Sequence, residues 1–244
     1  MNQAFLFNCH KLWDSNGFNG PFSFLKESTV NNFTCPLCQT TQATLFYTDK
    51  RRSYYQCGCC QLVFVPSQYW LSAISEKQEY DKHINTPEDT GYRAFLNRIF
   101  TPVLARLPAK AKGLDFGCGP GPTLSVMFEE QGAQVSLFDK FYYPDDSVLA
   151  KQYDFVTATE VWEHLSDPRL NLELLWQCVK PGGVLGVMTK LVRDAEAFKC
   201  WHYKNDPTHI IFFSLATLRY LEKKWGAVLE VVAADSFIFT KPSN

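Results

Sequence analysis

No apolar run of about 18 residues occurs in the 244-residue chain, which excludes a membrane-spanning helix. Charge of one sign is not in excess either: 24 Lys and Arg stand against 25 Asp and Glu, for a formal net charge of −1. That balance excludes a disordered acidic tail and a nucleic-acid binder that works by bulk charge alone. The N-terminal stretch MNQAFLFNCHKLWDSNGF lacks the basic segment and the long apolar segment of a secretory leader, so the expected location is cytoplasmic. Internal repeats and low-complexity tracts are missing. What remains, with 46% hydrophobic residues and a length above the roughly 150 of a typical domain, is a globular chain of one large domain or of one domain plus a small appendage.

Cysteine is the residue in unusual supply. There are nine, at Cys9, Cys35, Cys38, Cys57, Cys59, Cys60, Cys118, Cys178 and Cys200, and five of them fall within 26 residues. An odd count in a reducing compartment argues for metal ligation over a disulfide framework. Cys35-x2-Cys38, an 18-residue gap and Cys57-x2-Cys60 have the spacing of a structural zinc site, in which two turns supply four thiolates. Such a closed site stabilises folding and does no chemistry. Cys59 is an additional thiol beside the second pair. Lys50, Arg51 and Arg52 sit between the pairs, where they form either a phosphate grip or a solvated turn.

The pattern divides the chain into an irregular arm over 1–31, a small β module over 32–67, a helical connector over 68–109 and an α/β domain over 110–244. In the connector the spacing of Tyr92, Phe95, Leu96, Ile99, Phe100, Val103, Leu104 and Leu107 predicts a helix over 87–107 that starts at Pro87 and is bent or interrupted at Pro102. From residue 112 strands and helices alternate, as GLDF, PTLSVMFEEQG, QVSLFD, YDFVTAT, EVWEHL with PRLNLELLWQCV, and GGVLGVMT. Alternation of this kind implies a doubly wound, mostly parallel sheet. SLATLRYLEKKWG then reads as a helix capped by Ser214, and AVLEVVA and SFIFTK as a terminal antiparallel strand pair.

GLDF runs into Gly117-Cys118-Gly119-Pro120-Gly121, where glycine lets the backbone turn tightly and approach a ligand. The dinucleotide fingerprint needs a sixth-place glycine, and Pro122 stands there, so that reading fails. LDFGCGPG, with Asp139 ending VSLFD, YDFVTATEVWEHL at the fourth strand and VKPGGVLGVMT at the fifth, strongly resembles the class I S-adenosylmethionine-dependent methyltransferases over about residues 90–244. The resemblance implies their seven-stranded sheet, with Asp115, Gly117 and Gly119 against the methionyl part of the cofactor and Asp139 accepting hydrogen bonds from the ribose hydroxyls. A carboxylate suits a vicinal diol because its two oxygens can each accept an O–H. CPLC, CGCC and QLVFVPSQYW together resemble the zinc-ribbon-like module that precedes many bacterial enzymes of this class, which often act on sugars or other small metabolites; it has relatives on RNA methyltransferases.

Glu160-Val-Trp-Glu163-His164 begins where the fourth strand ends, the place where doubly wound sheets bind ligands. If the chain is helical there, Glu160, Glu163 and His164 share one face. Asp206-Pro207-Thr208-His209 offers a further ligand from the far rim. The E-x-x-E-H pattern resembles ubiquinone-pathway O-methyltransferases and small-RNA 2′-O-methyltransferases, which links the cluster to a divalent cation such as Mg2+ or Mn2+. Three readings of these residues stay open: a cation site of Glu160, Glu163, His164 and His209; metal-free catalysis with His164 or His209 as base and Glu160 beside it; and plain packing. Trp201, His202 and Tyr203 are either the wall of an acceptor pocket or core. The expected protein is a methyltransferase acting on an oxygen of a small-molecule acceptor, with RNA methylation and a non-catalytic cofactor-binding scaffold as the rivals.

Overall fold

The computed structural model describes residues 33–82 and 85–243; the arm expected over 1–31, together with Cys9, lies outside the described residues. Near-continuous apolar runs such as FVTA and VLGVM favour strands buried on both faces, and the chain forms them. In order the elements are β1 (Ala43–Thr48), β2 (Ser53–Cys57), β3 (Val63–Phe64), α1 (Ala73–Tyr80), α2 (Thr90–Leu104), β4 (Lys112–Phe116), α3 (Thr123–Glu129), β5 (Gln134–Phe138), β6 (Tyr153–Thr159), α4 (Pro168–Cys178), β7 (Val179–Met188), α5 (Ala195–Lys199), β8 (Ile211–Phe212), α6 (Leu215–Trp225), β9 (Val228–Ala233) and β10 (Ser236–Thr240).

The larger sheet has the order β5-β4-β6-β7-β10-β9. Its first four strands are parallel, and β10 runs antiparallel to both β7 and β9. The terminal antiparallel pair is as expected, but among the described residues the sheet has six strands where seven were expected. Residues 139–152 separate β5 from β6, and a further parallel strand outside β5 would need a crossover of about a dozen residues on each side. That stretch instead makes a bridge between Asp139 and Tyr143 and a 3-10 turn at Asp146–Ala150.

Side chains alternate across the sheet, and two apolar clusters result. Ile238 of β10 joins Phe155, Phe128, Leu96, Ile99 and Val103 under α2 and α3, while its neighbours Phe237 and Phe239 point to the opposite face. α2 starts at Thr90, not Pro87, because the Asp89 carboxylate accepts from Gly91 N and Tyr92 N and caps it. The helix continues through Pro102 to Leu104 without interruption. EVWEHL, read as the start of a helix, forms only a 3-10 turn at Trp162–His164.

The smaller sheet has the order β1-β2-β3-β8 and is antiparallel throughout. Its last strand comes from within the α/β part, with Val63 opposite Phe212 and Phe64 opposite Ile211. Cys35, Cys57, Leu62 and Phe64 therefore belong to the same apolar cluster as Trp162, Phe213 and Phe239. The cysteine module shares one core with the larger sheet.

Candidate active site and metal centres

β4 delivers the glycine loop to the C-terminal edge of the sheet. Gly117 and Gly119 have φ of 70° and 64°, in the left-handed region that disfavours a side chain. A Cβ on Gly117 would also stand 2.4 Å from Val161 Cγ2. Gly119 has open space where a Cβ would be, and its N–H donates to Asp139 Oδ2 at 3.1 Å. Asp139 Oδ1 accepts from Phe141 N and Tyr142 N, so the carboxylate is fixed at the mouth of the loop with Oδ2 able to accept one more donor. Asp115 lies deeper. Its carboxyl is buried, accepts from Thr157 Oγ1 at 2.8 Å, and is pushed up to about 7 by that burial, with the Asp139 charge adding to the shift. These positions fit a cofactor lying across the loop, with a diol at Asp139. Cys118, in the same loop, is a half-buried thiol held up by desolvation.

The four sequence-predicted thiols converge. Cys35 Sγ lies 3.5 Å from Cys60 Sγ and Cys38 Sγ 3.4 Å from Cys57 Sγ, and all four fall within 4.8 Å of one another. A tetrahedron with metal–sulfur bonds of about 2.3 Å has sulfur–sulfur edges of about 3.8 Å, so the donor set fits zinc. Each pair sits on the same turn: Gln39 N donates to Cys35 O with Gln39 at φ 63°, and Gln61 N donates to Cys57 O with Gln61 at φ 59°. Cys59 N and Cys60 N point at Cys57 Sγ. Hydrogen bonding from Cys35, Cys38 and Cys60 pulls the Cys57 thiol far down and that from Cys38 lowers Cys35, while contact with Cys35, Cys38 and Cys57 pushes Cys60 up. The four thiols compete for negative charge, and a dication would let all of them ionise.

A second cluster forms beyond β6. Trp162, fully buried against Phe213 and Phe239, anchors the 3-10 turn, and Ile210 N donates to Glu163 O. Glu163, His164 and His209 then offer ligand atoms within 4.8 Å of one another. His164 Nδ1 donates to Thr208 O at 3.1 Å and His209 Nδ1 donates to Tyr203 O at 2.7 Å, since a carbonyl can only accept. Both rings are thereby set in the tautomer that leaves Nε2 as a lone pair. Burial lowers His164 to about 3 and His209 to about 4, so both are neutral at pH 7. Glu163 is 0% exposed; it accepts from Tyr203 Oη at 2.5 Å and Thr189 Oγ1 at 2.9 Å, and burial raises it to about 8.

Glu160 does not join this set. Its φ of 54° places it outside any helix, its Oε2 lies 3.5 Å from Tyr203 Oη, and its buried Oε1 has no hydrogen-bond partner among the described residues. Burial raises its carboxyl to about 7. Of the residues read as pocket wall or core, Tyr203 is buried and bonded to Glu163, Trp201 packs on Phe198 and Phe212, and His202 is exposed beside Lys190 Nζ at 3.2 Å. Sequence reading missed Thr189 and Tyr80; no pattern marks the first, and the second reaches the site from α1, its ring 5.2 Å from His164. Lys140 to Glu76 and Tyr142 to Asp81 tie α1 over this edge.

Of the three cations, Lys50 and Arg51 are exposed and Arg52 is buried, and both guanidinium groups are engaged within the protein. Arg51 donates to Asn205 O and Oδ1, and Arg52 donates to the carbonyls of Lys204, Asp206 and Pro207.

A mostly parallel sheet that carries a glycine loop, an acid closing the next strand and an antiparallel terminal pair is the arrangement expected of an S-adenosylmethionine-dependent transferase. Residues 85–231 match the family model described as methyltransferase domain, and the chain belongs to that family. It is similar to ubiquinone biosynthesis O-methyltransferases: 35% identical to that of Escherichia coli and 34% to that of Salmonella enteritidis, in each case over 85 residues. The matched stretch is 35% of this chain and 35% of those relatives, about a third of their length. Among solved structures, a Burkholderia thailandensis 1,6-didemethyltoxoflavin-N1-methyltransferase with its substrate and S-adenosylhomocysteine aligns at TM-score 0.47 and 15% identity, over 81% of this chain and 99% of that one. Human N-acetylserotonin methyltransferase with S-adenosylmethionine aligns at TM-score 0.45 and 15% identity, over 60% and 51%. Among the described residues no helix is long and apolar enough to cross a membrane.

Proposed function

We propose that the chain transfers the methyl group of S-adenosylmethionine to an oxygen of a small molecule, with Glu163, His164 and His209 holding a divalent cation beside the acceptor. The observation that carries this reading is the convergence of two Nε2 lone pairs and a buried carboxylate, with each imidazole fixed through Nδ1 on a backbone carbonyl. A cation such as Mg2+ or Mn2+ lowers the pKa of a bound hydroxyl, which is otherwise a poor nucleophile at pH 7. Asp115, Gly117, Gly119 and Asp139 cradle the cofactor and orient its methyl group for in-line attack. Tyr203 and Thr189 hold the two Glu163 oxygens in place, and Trp162 and Tyr80 keep water from the cluster's flanks. Glu160, with a free buried oxygen, stands ready to accept a proton or a donor from the acceptor.

The metal-free reading is weaker. A general base works best with a pKa near the operating pH, and histidines held at about 3 and about 4 give up a proton too readily for that task. The names of the ubiquinone-pathway relatives support oxygen as the nucleophile. The cysteine module, 32–67 extended by β8, serves as a zinc-stapled platform, because four sulfurs leave a tetrahedral ion no open position. The test is a mass-spectrometric comparison of metabolites and RNA nucleosides from cells with and without the protein, followed by assay of the acceptor found. Activity should fail in chelator and return with Mn2+ or Mg2+ while the cysteine-bound zinc is retained. Full activity in chelator would overturn the cation, a methylated RNA nucleoside would overturn the small-molecule acceptor, and cofactor binding without turnover would leave a scaffold.

A further inference from the structure

The segment 203–208 has an unusual property: each of its six successive carbonyl oxygens accepts a hydrogen bond from a side chain. Tyr203 O takes His209 Nδ1 at 2.7 Å and Thr208 O takes His164 Nδ1 at 3.1 Å. The four carbonyls between them accept from the cysteine module. Arg52 Nη2 donates to Lys204 O at 2.7 Å and Asp206 O at 2.8 Å, Arg51 Nη1 to Asn205 O at 3.1 Å, and Arg52 Nη1 to Pro207 O at 3.3 Å.

The Arg52 part of the clamp is buried, while Arg51 lies at the surface. Arg52 is only 7% exposed, and its Nε donates to Tyr54 Oη. Asp49 Oδ1 accepts from the backbone N–H of Arg51 and Arg52, which sets the hairpin tip, while its Oδ2 pairs with the buried Lys204 Nζ at 3.1 Å. A guanidinium presents five N–H donors in one plane and can bridge several carbonyls, which an ammonium on a flexible stem cannot do. The same hairpin continues into β2, whose neighbour β3 pairs with β8 directly after His209.

We propose that Arg52, with Arg51 beside it, is a positioning residue for His164 and His209: the hairpin between the two cysteine pairs holds the 203–208 backbone, and the carbonyls at its two ends orient both imidazoles. The consequence for catalysis rests on the reading of the histidine pair given above; the orientation itself rests on the hydrogen bonds. The cysteine module therefore acts on the active site through one loop, although its own metal site has no open position.

The experiment uses the full chain with 15N-labelled histidine, comparing wild type with Arg52→Gln and the milder Arg51→Ala, and assigning the rings with His164→Gln and His209→Gln. Wild type should show both rings as pure Nδ1–H tautomers. Arg52→Gln should mix in the Nε2–H form at both rings and weaken Mn2+ binding, followed by electron paramagnetic resonance, by roughly 10- to 100-fold. Affinity for S-adenosylmethionine, set by the remote glycine loop, should stay within about two-fold of wild type. A folded Arg52→Gln protein with unchanged tautomers overturns the proposal. If that variant does not fold, Arg51→Ala decides, with unchanged rings again overturning it. Wild type that binds no Mn2+ removes the cation reading, and the ring spectra still decide whether Arg52 positions the pair.

Discussion

The cysteine cluster and the Glu163, His164, His209 cluster each bring ligand atoms within 4.8 Å of one another, but they are assembled in opposite ways. The thiols come from two copies of one turn within 26 residues of chain, each closed by its own i to i+4 backbone hydrogen bond. The second cluster needs a 3-10 turn after β6, a strand edge carrying Thr189, and a loop that begins at Tyr203, and none of these forms the site alone. A cluster made of local turns gains its stability from the ion it closes on. One made of distant segments gains its stability from the surrounding fold, and its ligands are held in place by second partners before any ion arrives.

Removing a thiol should have the largest effect. Cys60→Ser breaks a set that closes both sheets onto one core, so zinc content should drop and the thermal unfolding midpoint should fall by more than about 10 °C, read by calorimetry and metal analysis. The same change at the second cluster should spare the fold and stop the chemistry. His164→Ala and His209→Ala are each expected to lower turnover by roughly 10²- to 10⁴-fold while S-adenosylmethionine affinity, measured by calorimetric titration, is unchanged. If either variant melts as Cys60→Ser does, the contrast between the clusters fails.

A smaller effect should follow from Tyr203→Phe. It removes the 2.5 Å donor to Glu163 without touching a ligand atom, so Mn2+ affinity should fall roughly ten-fold with the melting temperature nearly constant. The smallest effect is a pH dependence. Glu163 has a folded value of about 8 against an unfolded value near 4.3, so the folded state binds more protons in between, and stability present at low pH is lost as pH rises through about 8. Glu160, at about 7, works in the same direction. His164 and His209 have the opposite sign, since their lowered values cost stability only below about 6.5. Between pH 6.5 and 8 the histidines no longer contribute, and Glu163, Glu160 and the buried Asp115 together should cost the cation-free protein roughly 2 to 3 kcal/mol. Saturating Mn2+, which favours the ionised Glu163 carboxylate, should remove the Glu163 share of that loss in melts across the range.

Much of this architecture was legible in the residues. C-x2-C spacing encodes a turn, and a turn closes over four or five residues whatever surrounds it, so the cysteine quartet could be read directly. The glycine loop and Asp139 were legible for the same reason, as a strand end and a turn that need φ above zero at Gly117 and Gly119. The Glu160 reading failed because it assumed a helix; the chain takes a left-handed residue and a 3-10 turn instead, which separates Glu160 from its neighbours. Neither reading of the Lys50-Arg51-Arg52 tip included the carbonyl partners of Arg51 and Arg52, because those lie some 150 residues downstream.

The sequence alone determined the periods of the strands and helices, the two cysteine turns, the glycine loop and the terminal antiparallel pair. Each of these depends on contacts between residues a few positions apart, where backbone geometry leaves few choices. Tertiary structure decided the rest: β8 completes the cysteine module's sheet, His209 meets His164, Tyr203 and Thr189 hold Glu163, and a hairpin's guanidinium groups hold four carbonyls. Those partners have no fixed spacing. A buried donor must find an acceptor wherever packing places one, and packing is a property of the folded chain as a whole.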